Sequence, residues 1–227
     1  MTAPVIAIDG PSGSGKGEIS RRVSWRLGWA LLDSGALYRL VALEAMRRGI
    51  SDDDSRRLTD IARHLDVVFD RGADGSKVVR LGGLDVSADI RSEACGESAS
   101  RIAPLEAVRA ALLALQRGFR RPPGLVADGR DMGTVVFPDA DLKIFLTASP
   151  QERARRRYKQ LKQKGIDVSL PALSADLAER DRRDSERRIA PLQPAPDARI
   201  LDTTRLNIDE TVDAVMGMAA RLTGSGQ

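Results

Sequence analysis

The chain has 227 residues, enough for one large domain or one domain with inserts, and its 42% apolar and 30% charged residues match globular usage and exclude a wholly disordered chain. No run approaches the roughly 20 apolar residues of a membrane helix, the start Met1-Thr2-Ala3-Pro4-Val5 carries no charged leader, and the single cysteine, Cys95, cannot form an internal disulfide, so a soluble cytoplasmic protein is expected. The net charge of +4 is unevenly spread: Gln151 to Arg188 holds 12 Lys/Arg against 7 Asp/Glu, and the remainder 24 against 25.

Val5-Ile6-Ala7-Ile8 is a β-branched apolar run ending at Asp9-Gly10 and reads as a buried strand. A glycine loop follows, then Ile19, Val23 and Leu27 at helical spacing. Ala30-Leu31-Leu32 is a second short strand, and a helix through Tyr38, Val41 and Ala45 stops near Gly49. From Asp66 to Ile90 the spacing shortens. Val67-Val68-Phe69, Lys77 to Leu81 and Leu84-Asp85-Val86, separated by the turn clusters Arg71 to Ser76 and Gly82-Gly83, predict an antiparallel meander. Helical spacing runs from about Ser92 to Phe119, and Arg121-Pro122-Pro123-Gly124 breaks it. Leu125 to Asp128, Lys143 to Leu146 and Arg199 to Asp202 are three more strands, the last two flanking the basic helical region. Five short apolar strands alternating with helices predict an α/β fold, a five-stranded parallel sheet with helices on both faces and a small antiparallel insert. No internal repeat or low-complexity tract is present, and the tail Thr223 to Gln227 is expected to fray.

Gly10-Pro11-Ser12-Gly13-Ser14-Gly15-Lys16-Gly17 matches G-x-x-x-x-G-K between a strand and a helix. In that setting backbone amides turn onto phosphate oxygens, and the lysine reaches the outer phosphates of a nucleoside triphosphate. Many such loops continue with a Ser or Thr that ligates magnesium; here Gly17 and Glu18 follow. Asp128 ends a buried strand at the sheet edge where open α/β folds bind ligands, and there it either orders a magnesium shell or caps a turn. No side chain is expected to ligate a metal directly. His64 stands alone and reads as a surface or capping residue, and Cys95 as a small buried one.

Three blocks closely resemble the bacterial cytidylate kinase family: Leu32-Asp33-Ser34-Gly35-Ala36-Leu37-Tyr38-Arg39; Ala127 to Pro138, containing Asp-Gly-Arg-Asp-Met-Gly-Thr; and Glu179 to Asp184 with Arg187 and Ala190-Pro191. The resemblance spans essentially the whole chain, from the glycine loop to Asp202. It implies a P-loop nucleoside monophosphate kinase made of one domain, residues 1–227. Its monophosphate-binding region covers about 33–120, including the insert at 66–90, and a mobile basic lid covers about 153–170. It also implies ATP and Mg²⁺, phosphoryl transfer to CMP or dCMP, and a role in pyrimidine nucleotide metabolism. Lys16, Arg39, Arg130, Arg187 and Asp128 are then catalytic. The loop from Gly10 to Gly17 with Glu18, Arg153 and Arg157 binds ATP. Ser34, Arg39, Ser100, Arg109, Arg130, Asp131, Arg180, Asp184 and Arg187 bind the monophosphate. Asp131, Arg109 and Ser100 supply the acceptor and donors that cytosine requires.

Two points stay open in the sequence. Arg153, Arg155, Arg156 and Arg157 cannot all face inward at helical spacing, and Arg153 and Arg157 share a face. Glu18 replaces the family's threonine; impairment by a carboxylate in the field meant for phosphates is expected, against a side chain that turns away. A kinase of the same fold with another acceptor is one rival. A nucleic-acid-binding module is the other, and it is disfavoured by the acids within Arg180 to Arg188 and by only 4% aromatics. The partners expected are therefore nucleotides, without nucleic acid or membrane, and a monomer is the default.

Overall fold

The computed structural model describes residues 2–72, 77–163 and 165–223. In chain order the elements are β1 (Val5–Asp9), α1 (Lys16–Leu27), β2 (Ala30–Asp33), α2 (Ser34–Arg47), α3 (Ser55–Arg63), β3 (Val67–Arg71), β4 (Lys77–Leu81), β5 (Leu84–Asp85), α4 (Glu93–Ile102), α5 (Glu106–Gly118), β6 (Leu125–Gly129), β7 (Leu142–Thr147), α6 (Pro150–Gln163), α7 (Leu170–Ser185), β8 (Arg199–Asp202) and α8 (Ile208–Thr223). A short 3₁₀ turn covers Asp89–Arg91, and a π-helical turn covers Met132–Val136. No helix among the described residues is long and apolar enough to cross a membrane.

The five-stranded sheet has the order β2-β6-β1-β7-β8. β1 lies at its centre, parallel to β6 with Val5 opposite Leu125 and parallel to β7 with Ile6 opposite Leu142. Every residue of β1 and β6 is buried, which is why both read as unbroken apolar runs ending in an acid. Ile6, Ile8, Val126 and Ile144 form one core with Ile19 and Val23 of α1 and Val212 and Val215 of α8.

The chain divides into two compact units, Met1–Leu31 with Arg120–Gln227, and Leu32–Phe119. The second unit is nearly coextensive with the region expected at 33–120. It holds α2 to α5 and the antiparallel sheet β3-β4-β5, in which Val67 pairs with Leu81 and Leu81 with Leu84. The expected turn from Arg71 to Ser76 falls mostly on residues 73–76, which lie outside the described residues, as do Lys164 within the expected lid and residues 224–227 of the tail.

Two helical expectations are corrected. The stretch from Ser92 to Phe119 is not continuous: α4 ends at Ile102 and α5 starts at Glu106, with Pro104 between. Proline lacks the amide that would carry the helical ladder through, although the apolar spacing continues across it. α3 was not anticipated. Asp54 caps it by accepting from Arg57 N, and Leu58, Ile61 and Ala62 are its buried face.

Candidate active site

The glycine loop leaves the carboxyl end of β1 and runs directly into α1. Gly10 is held so close to β7 that a Cβ there would lie 2.0 Å from Leu146 O. Gly15 begins the helix with φ 92°, a left-handed conformation that glycine adopts without cost. The buried Lys16 Nζ donates to Pro11 O at 3.0 Å, folding the side chain back over its own loop. Ser14 Oγ is buried in the same loop with no hydrogen-bond partner among the described residues.

Lys16 stands in a dense charge field. Burial and the nearby Arg130 depress its ammonium from 10.5 to about 7, while Asp128 and Asp184 oppose the shift. Arg130 Nε donates to Asp184 Oδ2 at 2.8 Å, and Arg187 Nε donates to Asp184 O at 3.2 Å. Burial alone would push the Asp184 carboxyl up, but Arg130 and Arg187 outweigh it and hold the group below the usual carboxylate range. Arg180 also acts on both Lys16 and Asp184. Lys16, Asp128, Arg130, Arg180, Asp184 and Arg187 are therefore brought together within one unit. Asp128 is buried, and a Cβ on Gly17 would lie 3.4 Å from its Oδ2.

Asp131, also buried, immediately precedes the π-helical turn. Asp9, at the end of β1, accepts from the amides of Met132 and Gly133, both at 2.8 Å. Burial, opposed by those two amides, raises its carboxyl from 3.8 to about 6. The available signal was its position, an acid closing an apolar strand at the same sheet edge as Asp128.

Of the four α6 arginines, Arg153 and Arg156 reach the loop, where Arg153 and Arg157 had been favoured. Arg153 Nη1 donates to Ser12 O at 3.0 Å and pairs with Asp181 at 2.6 Å. Arg156 donates to Ser14 O at 3.2 Å and to Thr203 O at 2.6 Å. Arg157 instead approaches Gln160 Oε1 at 3.5 Å, and Arg155 is exposed. Spacing of three places residues on one helix face as well as spacing of four does, so sequence could not choose.

The Glu18 carboxylate does not occupy the phosphate field as expected. It accepts from Arg21 Nε at 2.8 Å and Arg22 Nε at 2.7 Å, along α1. Its pairs with arginines three and four residues on hold it along the surface of α1. Burial raises its carboxyl, but these arginines prevail and hold it below the ordinary value.

The Leu32–Phe119 unit carries the remaining candidates. Ser34 is buried at the start of α2 and accepts from Gln116 Nε2 at 2.9 Å. Arg39 Nη1 donates to Ile90 O at 2.6 Å, and Arg109 Nη1 to Ala103 O at 3.2 Å. The Ser100 hydroxyl is buried with no hydrogen-bond partner among the described residues. Its helix is pinned by Asp52, which accepts from Ser98 Oγ at 2.6 Å and from Arg101 Nε at 2.7 Å. His64 ends α3 on the surface, and Cys95 is buried, as expected of both.

A central parallel strand, a glycine loop and a buried lysine at the start of the first helix are the build of the P-loop nucleotide-binding proteins. A solved structure of an uncharacterized protein from Eubacterium ventriosum shares this fold at TM-score 0.51, with 9% identity, covering 96% of this chain and 98% of its own. The family model for cytidylate kinase matches residues 6–221, so the chain belongs to the cytidylate kinase family. Curated cytidylate kinases from Nitrosomonas eutropha and Methylococcus capsulatus are 60% and 56% identical to it, each over 96% of this chain and over 95% and 97% of their own length.

Proposed function

We propose that this protein transfers the γ-phosphoryl group of ATP to CMP or dCMP, giving ADP and CDP or dCDP. Family membership along almost the whole chain supports the reaction. The observation that carries it within the molecule is the charged group of Lys16, Asp128, Arg130, Asp184 and Arg187 beside the glycine loop.

An oxygen of the acceptor phosphate attacks Pγ in line, and the bond from Pγ to the β,γ-bridging oxygen breaks with its electron pair leaving on ADP. That attacking oxygen is already anionic, so no general base is needed, and catalysis consists of positioning and charge stabilisation. The loop from Gly10 to Gly17 and Lys16 hold the ATP phosphates, with Arg153 and Arg156 bracing the loop carbonyls. Phosphate charge beside Lys16 Nζ favours its protonated form against the burial and Arg130 that depress it. Arg39, Arg130 and Arg187 are the arginines this reading assigns to the acceptor and transferring phosphates. Ser34, Ser100 and Arg109, with Asp131, bind the CMP moiety, and Arg180 and Asp184 its pentose.

Among the described residues no three His, Cys, Asp or Glu side chains gather as a metal cage. Asp128 fits a supporting part, because its carboxylate oxygens stand against Gly17, where many P-loops present a hydroxyl, and oxygen is the donor magnesium prefers. When bound, the ion neutralises charge on the phosphate oxygens.

A nucleic-acid module loses its footing because the basic third is internally paired. Arg153 pairs with Asp181, Arg130 with Asp184, and Arg182 with Glu179 and Glu186. The reading makes the protein a cytoplasmic, monomeric enzyme of nucleotide metabolism. An acceptor screen with ATP and magnesium tests it: CMP and dCMP are turned over best, and a preference for UMP or AMP overturns the assignment.

A further inference from the structure

We propose that Asp9 is the positioning residue for Asp131: it caps the Met132–Val136 turn from β1, and so keeps the Asp131 carboxylate out of that cap and turned to the acceptor's base. This rests on the reading of Asp131 as a base-binding residue. Asp131 occupies the position from which an aspartate normally accepts hydrogen bonds from the first amides of its own helix. Here it makes no such bond. The amides of Met132 and Gly133 donate instead to Asp9 Oδ1 and Oδ2, both at 2.8 Å, across more than 120 residues of chain. Both carboxyls are buried, with Asp9 6% and Asp131 3% exposed. Asp131 is also close enough to push the Asp9 carboxyl up, so a second carboxylate on the amides that Asp9 holds would add to that repulsion. The main chain of Asp131 is fixed meanwhile by Val135 N and Val136 N, which donate to its carbonyl at 2.9 and 3.2 Å. One acid shapes the turn, and its neighbour is relieved of that duty. The turn is itself a π-helical one, a form that recurs at functional sites.

Without the Asp9 carboxylate, two buried amides lose their acceptors, and the Asp131 side chain is placed to replace it. An asparagine at position 9 keeps the shape but offers one acceptor, and points an amide donor at the second N–H. The test is the kinetics of Asp9→Asn, with Asp131→Ala and the double variant alongside. Asp9→Asn is expected to raise the KM for CMP about tenfold, as for a lost hydrogen bond to a charged group, to narrow the preference for CMP over UMP, and to change the KM for ATP by less than about twofold. In the Asp131→Ala background the same substitution adds nothing to the KM for CMP. Equal losses toward ATP and CMP, or undiminished CMP losses in the double variant, overturn the inference and make Asp9 a brace of the phosphate loop. Failure of both Asp9→Asn and Asp9→Glu to fold overturns it in favour of a purely structural role. Normal CMP kinetics in Asp131→Ala refute the reading of Asp131 itself, whereas an impaired Asp131→Ala beside a normal Asp9→Asn refutes only the link between them.

Discussion

The two units bury different chemistry. In Met1–Leu31 with Arg120–Gln227 the buried polar side chains include Asp9, Lys16, Asp128, Asp131, Arg153, Asp184 and Arg187. In Leu32–Phe119, among the described residues, they are Ser34, Thr59, Ser98, Ser100 and Gln116, all neutral. Charge removed from water costs free energy unless it is paired, so a unit that accumulates it is less stable than its packing alone would make it. A buried hydroxyl costs little and can either donate or accept. The contrast separates a region that buries charged side chains from one that, among the described residues, buries only neutral polar ones.

The sharpest way to break this contrast is Lys16→Met. Turnover is expected to fall by about 10²–10³ or more through loss of a preorganised charge. The empty variant is also expected to melt higher than wild type by several degrees at neutral pH. The sign follows from the depressed ammonium. Between about 7 and 10.5 the unfolded chain binds the proton more tightly than the folded one, so the cost of burying Lys16 is fully present below about pH 7 and vanishes by pH 10.5. Melts without nucleotide at pH 6.5 and pH 9.5 check this: the gap between variant and wild type narrows at the higher pH. A variant that melts lower at both values removes the claim that charge burial costs this unit stability.

Asp131→Ala comes next. The KM for CMP is expected to rise about tenfold while that for ATP barely moves, a split that steady-state kinetics with each substrate varied will reveal. Ser100→Ala sharpens the neutral side of the comparison. Its hydroxyl has no partner among the described residues, so the melting temperature should hold or rise slightly while the KM for CMP increases a few-fold. A fall in stability with unchanged CMP kinetics would mark Ser100 as part of the scaffold. The smallest effect belongs to Glu18→Thr. Its carboxylate faces Arg21 and Arg22, so ATP kinetics across a magnesium titration should match wild type, and the lost surface pairs should cost no more than about 1 kcal/mol in denaturant melts.

What could be read from the sequence was whatever a short stretch of chain decides by itself. The glycine loop, the buried strands β1 and β6, and the halt of α2 before Gly49 depend on neighbours within a few residues. The resemblance in the blocks around Arg39, Asp131 and Arg180 then supplied residues that no spacing could pick out. The failures share one cause, since each turns on a partner distant in sequence or on geometry between equivalent choices. Asp9 serves backbone amides of Met132 and Gly133, and a backbone amide has no residue type to recognise. Arg156 was passed over for Arg157 because one helix face accommodates both. Ser92 to Phe119 looked continuous because apolar spacing ignores the missing amide of Pro104. Glu18 was judged against the absent threonine rather than against the arginines downstream.

The position of β1 also has a consequence for synthesis. Val5–Asp9 is made well before both of its sheet neighbours, which begin at Leu125 and Leu142. At translation rates of about 5–20 residues per second, the most apolar strand of the protein waits several seconds on the ribosome without a partner. The segment Leu32–Phe119, which forms a compact unit, is complete before that wait is over. The phosphate loop, which leaves the end of β1, waits with it. Folding yield should therefore depend on what shields this strand in the interval, and on substitutions in β6 and β7 more than on any in β1 itself.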